Sequence, residues 1–130
     1  MKEKLVLIVE DNDFQRDLLN QLARKAGVNA DLVKDGRDAI NAVIHYPHYL
    51  AVFMDIGLIN MDGLECTRRI RDLKLGTLNH VPIIAVTARS GEQARQECLE
   101  AGMDDFLTKP VTVVNIVSML KKWKVVEPVS

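Results

Sequence analysis

Apolar and polar positions along this chain alternate between two patterns. Unbroken apolar runs, Leu5-Val6-Leu7-Ile8-Val9, Leu50-Ala51-Val52-Phe53-Met54 and Val81-Pro82-Ile83-Ile84-Ala85-Val86, recur between stretches of helical spacing. A run with no polar interruption fits a strand buried on both faces, because a strand with one wet face would alternate. Pro82 falls at the first position of its run, where a strand tolerates it. Two weaker signals complete the set: Ala30-Asp31-Leu32-Val33, which alternates as an edge strand would, and the short Asp105-Phe106-Leu107-Thr108.

The intervening stretches predict five helices. Phe14, Leu18, Leu22 and Ala26, widened by Leu19 and Ala23, mark the first, with Asn12 or Asp13 as its cap and Gly27 just past its end. Asp35-Gly36 turns the chain into a second helix with the stripe Ala39, Ile40, Val43 and Ile44, which ends before Pro47. Leu64, Thr67, Ile70 and Leu73 give a third, whose outer side carries Arg68, Arg69, Arg71 and Lys74. The fourth has only a thin stripe of small residues, Ala94, Cys98 and Ala101, closed by Gly102, so it should pack weakly and shift easily. Val113, Ile116, Val117, Leu120 and Trp123 give the fifth a strong apolar face. Strands alternating with helices across short joins imply an α/β fold, an open five-stranded parallel sheet covered on both faces through right-handed crossovers. Periodicity yields the elements but not their order in the sheet.

At 130 residues the chain fits one domain, taken as residues 1–123 with 124–130 as a frayed tail lacking helical pattern. A net charge of -1 gives no global field toward nucleic acid or anionic lipid, and the basic side of the third helix reads as a solvated face. Neither direct nucleic-acid binding nor direct membrane contact is expected. Met1-Lys2-Glu3-Lys4 leads into a short apolar run that stops at an acid, unlike a signal peptide or a membrane span. Cys66 and Cys98 lie far apart, outside any CxxC or Cys/His cluster, as packed reduced thiols of a cytoplasmic protein would. His45, His48 and His80 read as surface histidines.

The chemistry lies at the strand ends. The first run stops at Glu10 and Asp11, the third strand delivers Asp55, the fourth ends on Thr87-Ala88 and the fifth on Lys109. In open sheets of this kind ligands sit beyond the carboxyl ends of the strands, so these residues should meet on one rim. Three acids brought together repel, and would favour a hard divalent cation such as Mg²⁺ with oxygen ligands. A carboxylate can attack phosphorus and hold a phosphoryl group as a mixed anhydride if the charge on its oxygens is countered. Asp55 is the expected acceptor, with Lys109 and the metal as counter-charge. Thr87 offers a hydroxyl to a phosphoryl oxygen, and the small Ala88 leaves room for the group to arrive. In isolation each residue has a plain structural role; the joint pattern is hard to obtain by accident.

The motifs Ile8-Val9-Glu10-Asp11-Asn12, Met54-Asp55-Ile56 with Met61-Asp62-Gly63, Val86-Thr87-Ala88 and Gly102-Met103-Asp104-Asp105-Phe106-Leu107-Thr108-Lys109-Pro110 resemble the receiver domain of two-component response regulators over nearly the whole chain. The resemblance implies a doubly wound flavodoxin-like sheet of order 2-1-3-4-5, the weak second strand at an edge. It implies that Asp55 takes phosphate from a phosphohistidine on a sensor histidine kinase or a histidine phosphotransfer protein. It assigns Mg²⁺ to Glu10, Asp11, Asp55 and the backbone carbonyl of Gly57, phosphoryl contacts to Thr87, Ala88 and Lys109, and a cis peptide to Lys109-Pro110. Thr87 and Phe106 would be switch residues that remodel the face of the fourth helix, fifth strand and fifth helix, a face through which a homodimer is also compatible.

Two positions depart from the commonest family pattern. Ile59 stands where proline is usual, which should loosen the loop after Asp55, and Gly57 offers no side chain beside the phosphoryl group. An open Gly57 side should admit water and shorten the phosphoprotein lifetime, unless Arg89, two positions past Thr87, covers the group. The run Glu97 to Asp105 looks most like receivers attached to hybrid histidine kinases, although a stand-alone regulator acting by docking also fits. Two other readings compete. A phosphate-independent interaction module would not need the full set of acids, threonine and lysine; a flavin-binding domain would need a Ser/Thr/Gly-rich phosphate loop where Glu10-Asp11-Asn12-Asp13 stands.

Overall fold

A computed structural model describes residues 4–46, 48–58, 61–73 and 81–123. The expectations attached to Pro47, Ile59, Lys74, His80 and residues 124–130 lie outside the described residues. Strands and helices alternate strictly: β1 (Leu5–Val9), α1 (Asp13–Lys25), β2 (Asn29–Val33), α2 (Gly36–His45), β3 (Val52–Asp55), α3 (Gly63–Asp72), β4 (Ile83–Thr87), α4 (Glu92–Ala101), β5 (Asp105–Thr108) and α5 (Val113–Lys122). All neighbouring strands are parallel, in the order β2-β1-β3-β4-β5. The weakly patterned β2 is an edge, as its alternation predicted.

The unbroken apolar runs divide by parity between two cores. Leu7, Val9, Val52, Met54, Ile83 and Ala85 face α2, α3 and α4, packing with Val43, Cys66, Ile70 and Cys98. Val6, Ile8, Phe53, Ile84 and Val86 face α1 and α5, packing with Leu19, Ala23, Ile116 and Leu120. Every side chain along these strands therefore has an apolar neighbour, which is why none could be polar.

Local chemistry sets the helix starts. Asn12, not Asp13, caps α1, its side chain accepting the Gln15 N–H; Asp35 and Asp62 cap α2 and α3 likewise, and Thr112 with Asn115 forms a reciprocal capping box on α5. Helix α4 has no side-chain cap, and its buried stripe is only Ala94, Cys98 and Ala101. Gly102 ends it in the left-handed conformation at φ 104°.

Three details differ from the sequence pattern. Phe14 is 74% exposed, because the face of α1 that reaches the sheet is centred on Leu19 and Ala23. Ile44, read as part of the α2 stripe, is also exposed, while Ala39 and Val43 carry the contact. Arg71 does not belong to the solvated basic side of α3. Arg68 and Arg69 do, pairing with Glu65 one turn back, but Arg71 turns inward and donates to the carbonyls of Gly102 (2.9 Å) and Val81 (2.8 Å) and to Asp104 (2.6 Å). Asp104 also accepts the Ile83 N–H at 2.8 Å, so one cluster ties α3 to the start of β4 and the end of α4.

Candidate functional site

Strand register brings the candidate residues level. Val9 pairs with Met54, so Glu10 and Asp55 leave their adjacent strands side by side. Asp55 pairs with Val86 and Thr87 with Thr108, which puts Thr87 one step further out on one side and Lys109 just past it. The Lys109 N–H continues the ladder to the Thr87 carbonyl at 2.7 Å. The crevice they line opens between β1 and β3, where the strand order reverses.

Glu10, Asp11 and Asp55 each present a carboxylate oxygen, all within 4.8 Å of one another. Glu10 and Asp55 are buried, while Asp11 is half-exposed. Burial, reinforced by the hydrogen bond and the charge of Glu10, pushes the Asp11 carboxyl above its ordinary value. Lys109 is the cation that answers: its Nζ lies 2.9 Å from Glu10 Oε1 and 3.7 Å from Asp55 Oδ1. Glu10 Oε2 accepts the Asn12 N–H at 3.1 Å, and Asp55 Oδ1 accepts the Gly57 N–H at 3.1 Å. One lysine against three converging carboxylates leaves a net negative pocket of hard oxygen donors, a set that fits a divalent cation such as Mg²⁺.

Beside the acids, Asp55, Ile56, Gly57, Thr87, Ala88, Arg89 and Lys109 line a cleft of about 310 Å³. Thr87 is buried, and its Oγ1 accepts the Arg89 N–H at 2.9 Å. Ala88 is exposed at the cleft wall. The Lys109-Pro110 peptide is cis. Gly63 is packed so tightly under the Asp55 loop that a Cβ there would lie 2.4 Å from the Asp55 carbonyl oxygen. That close approach explains the Asp62-Gly63 start of α3. Phe106 is half-buried on β5, against the core beneath α4. The thiol of Cys66 is raised to about 12 by burial, and that of Cys98 is raised by the same cause, so both are packed, inert thiols as expected. His45 and His48 are exposed, away from the rim.

Sequence reasoning missed two interactions near this site. Arg89 forms an ion pair with Glu97 of α4 at 3.0 Å, and the Arg71 cluster anchors the far end of the same helix. Arg89 lies in the loop before α4, and the partners of Arg71 lie 10 to 33 positions away, so only the packed elements reveal these contacts.

Five parallel strands in this order, with acids where a phosphate-binding loop would otherwise stand, define a flavodoxin-like domain whose crevice is built for a cation. The chain matches the response regulator receiver domain family over residues 6–121. It is 39% identical over 111 residues to the sensor histidine kinase RcsC of Escherichia coli, covering 85% of this chain and 11% of that one. The receiver domain of sensor histidine kinase PA1611 from Pseudomonas aeruginosa, solved with a magnesium ion in its active-site cleft, superposes with a TM-score of 0.83 at 34% identity, covering 94% of this chain and 98% of that one. The receiver domain of the Saccharomyces cerevisiae response regulator Ssk1, crystallised with the histidine phosphotransfer signaling protein Ypd1, superposes at 0.82 with 30% identity, covering 93% and 88%. The chain belongs to the response regulator receiver domain family, and it spans only 6 to 11% of the hybrid and sensor kinases it matches. Among the described residues no helix is long and apolar enough to cross a membrane.

Proposed function

We propose that this domain accepts a phosphoryl group on Asp55 from the phosphohistidine of a sensor kinase or histidine phosphotransfer protein. The observation that carries the proposal is the convergence of three carboxylates with Lys109 at the crevice between β1 and β3. Asp55 Oδ1 is already engaged by the Gly57 N–H and faces Lys109, leaving the other oxygen to attack. As its bond to phosphorus forms, the nitrogen–phosphorus bond of the donor breaks, and the imidazole, protonated on its other ring nitrogen, leaves neutral with the electron pair of the broken bond. Glu10, Asp11, Asp55 and the Gly57 carbonyl would hold Mg²⁺, which when bound would supply positive charge to the phosphoryl oxygens. Lys109 adds a second cation from the β5 side, Thr87 donates its hydroxyl to a phosphoryl oxygen, and Ala88 keeps the cleft open.

The donor docks beside this rim. Phe14 and Val114 open α1 and α5, neighbouring helices on one face of the sheet, and both are more than 70% exposed. A mainly apolar groove lined by Leu18, Leu22, Pro110 and Val111 runs between α1 and the segment that follows β5, reaching Lys109. Such a patch suits the apolar flank of a histidine-bearing helix. Phosphorylation then draws Thr87 toward the phosphoryl group and Phe106 inward, and the face of α4, β5 and α5 becomes the output surface, for a downstream partner or a second copy. The thin buried stripe of α4 and its lack of a side-chain cap support that reading. Turnover is limited to self-phosphorylation and slow hydrolysis of the anhydride, and the likeness to hybrid-kinase receivers supports a place as the cytoplasmic receiver of such a kinase.

Incubation with acetyl phosphate and Mg²⁺, followed by intact-mass and peptide analysis, tests the proposal. Labelling confined to Asp55 and abolished by chelator is the expected result. No labelling would leave the phosphate-independent interaction module as the better account.

A further inference from the structure

Helix α4 is held at its C-terminus and at its middle by quite different interactions. At its C-terminus Arg71 reaches from α3 to the Gly102 carbonyl and to Asp104, with only 17% of the arginine side chain exposed. A side chain at Gly102 would crowd Arg71 Cγ at 3.0 Å, so this end is closely packed as well as hydrogen-bonded. The N-terminus has no side-chain cap and enters from Gly91 at φ 100°. Near the middle of the helix, Glu97 ties back to the loop after β4 through the pair Arg89 Nη1 to Glu97 Oε2 at 3.0 Å, with the two side chains 57% and 37% exposed. An exposed pair of this kind is weakly held and easily exchanged.

Arg89 has a second set of relations. It lines the cleft shared by Asp55, Gly57, Thr87 and Lys109, and its backbone N–H donates to the Thr87 hydroxyl oxygen at 2.9 Å. A phosphoryl group on Asp55 would bring close to two negative charges and three acceptor oxygens to the cleft, a stronger attractor for a guanidinium than one solvated carboxylate. If Thr87 turns its hydroxyl toward that group, the loop carrying Arg89 turns with it.

The geometry points to Arg89 as a phosphoryl-covering residue whose availability is set by Glu97. Resting on Asp55 as the acceptor, the inference is that the guanidinium leaves Glu97 for the phosphoryl oxygens. It then closes the cleft on the side opposite Gly57, and α4 is freed at Glu97 while Arg71 keeps its C-terminus in place. Hydrolysis here is attack of a water oxygen on phosphorus with cleavage of the bond to the Asp55 oxygen, releasing inorganic phosphate and restoring the carboxylate. A covering Arg89 obstructs that water. Glu97 is a positioning residue: it competes for Arg89 and touches no reacting atom.

Phosphate loss from the acetyl-phosphate-labelled chain, followed by intact mass after donor removal, tests this with E97Q, R89A and the double variant. Freeing Arg89 in E97Q should lengthen the phosphoprotein lifetime, and R89A should shorten it, each by about two- to fivefold, the range spanned by exposed ion pairs. The double variant should decay as R89A does, since Glu97 then has nothing to compete for. Three results would overturn the inference: an R89A lifetime equal to or longer than wild type, an E97Q lifetime equal to or shorter than wild type, or an E97Q effect that persists in the R89A background. Labelled wild type with no coupling rejects only the Arg89 inference, whereas an unlabelled wild type rejects the Asp55 reading on which it rests.

Discussion

Replacing Asp55 with asparagine should make the metal-free protein more stable, although it removes the proposed acceptor. In the folded chain the Asp55 carboxylate sits within 4.8 Å of oxygens from both Glu10 and Asp11 and 3.7 Å from the Lys109 ammonium. With an effective dielectric near 20, each repulsion at 4.8 Å is about 3.5 kcal/mol and the attraction at 3.7 Å about 4.5 kcal/mol. Two repulsions outweigh one attraction by roughly 2.5 kcal/mol, reduced to about 1 kcal/mol by water reaching Asp11 and Lys109. The asparagine Oδ1 still accepts the Gly57 N–H, so no buried polar group is orphaned. Urea unfolding in chelator should show a higher midpoint for the variant at unchanged slope. Adding Mg²⁺ should stabilise wild type by mass action and the variant much less, narrowing or reversing the gap. A variant no more stable than wild type in chelator would refute the picture of an over-charged rim.

Other outcomes follow from the same geometry. Among the described residues a Cβ at Gly57 meets only Asp55 Oδ1, at an ordinary 3.8 Å, so Gly57→Met should fold normally and slow phosphate loss by about threefold, ~0.7 kcal/mol on the barrier; an unchanged rate rejects the open-side explanation. Arg71→Ala takes the guanidinium from the Gly102 and Val81 carbonyls and from Asp104, which still accepts the Ile83 N–H, and should cost about 3 kcal/mol by chemical denaturation, with Arg71→Lys recovering little because it lacks the fork. Burial would raise the Asp105 carboxyl, but hydrogen bonds from Lys122, the Phe106 N–H and Trp123 hold it below 3.8. Its stabilisation is thus present above pH 3.8 and is lost as pH falls through the lower folded value. Asp105→Asn should cost about 1–2 kcal/mol at neutral pH, a gap that closes in acid, with the fluorescence of Trp123 as the probe.

The sequence by itself determined the elements and the chemistry they carry. Runs such as Leu5–Val9 and Ile83–Val86 could only be strands buried on both faces, and their termination in Glu10, Asp55 and Thr87 marked the functional rim because a strand's end is fixed by where its apolar run stops. Motif resemblance, not periodicity, supplied the strand order and the cis Lys109-Pro110 peptide, both present in the structure. Tertiary structure decided what depends on neighbours distant along the chain. Phe14 has the spacing of a core residue yet points to solvent, since the rotation of α1 against the sheet is set by packing and not by its own pattern. Arg71 reads as one more arginine on a charged face, but its partners lie 10 to 33 positions away and meet it only when α3, β4 and the end of α4 converge. The same holds for Arg89 and Glu97, whose pairing requires α4 to fold back beside the loop after β4. Local spacing encodes which face of an element is apolar; which charged side chains share that element's edges is written only in the assembled sheet.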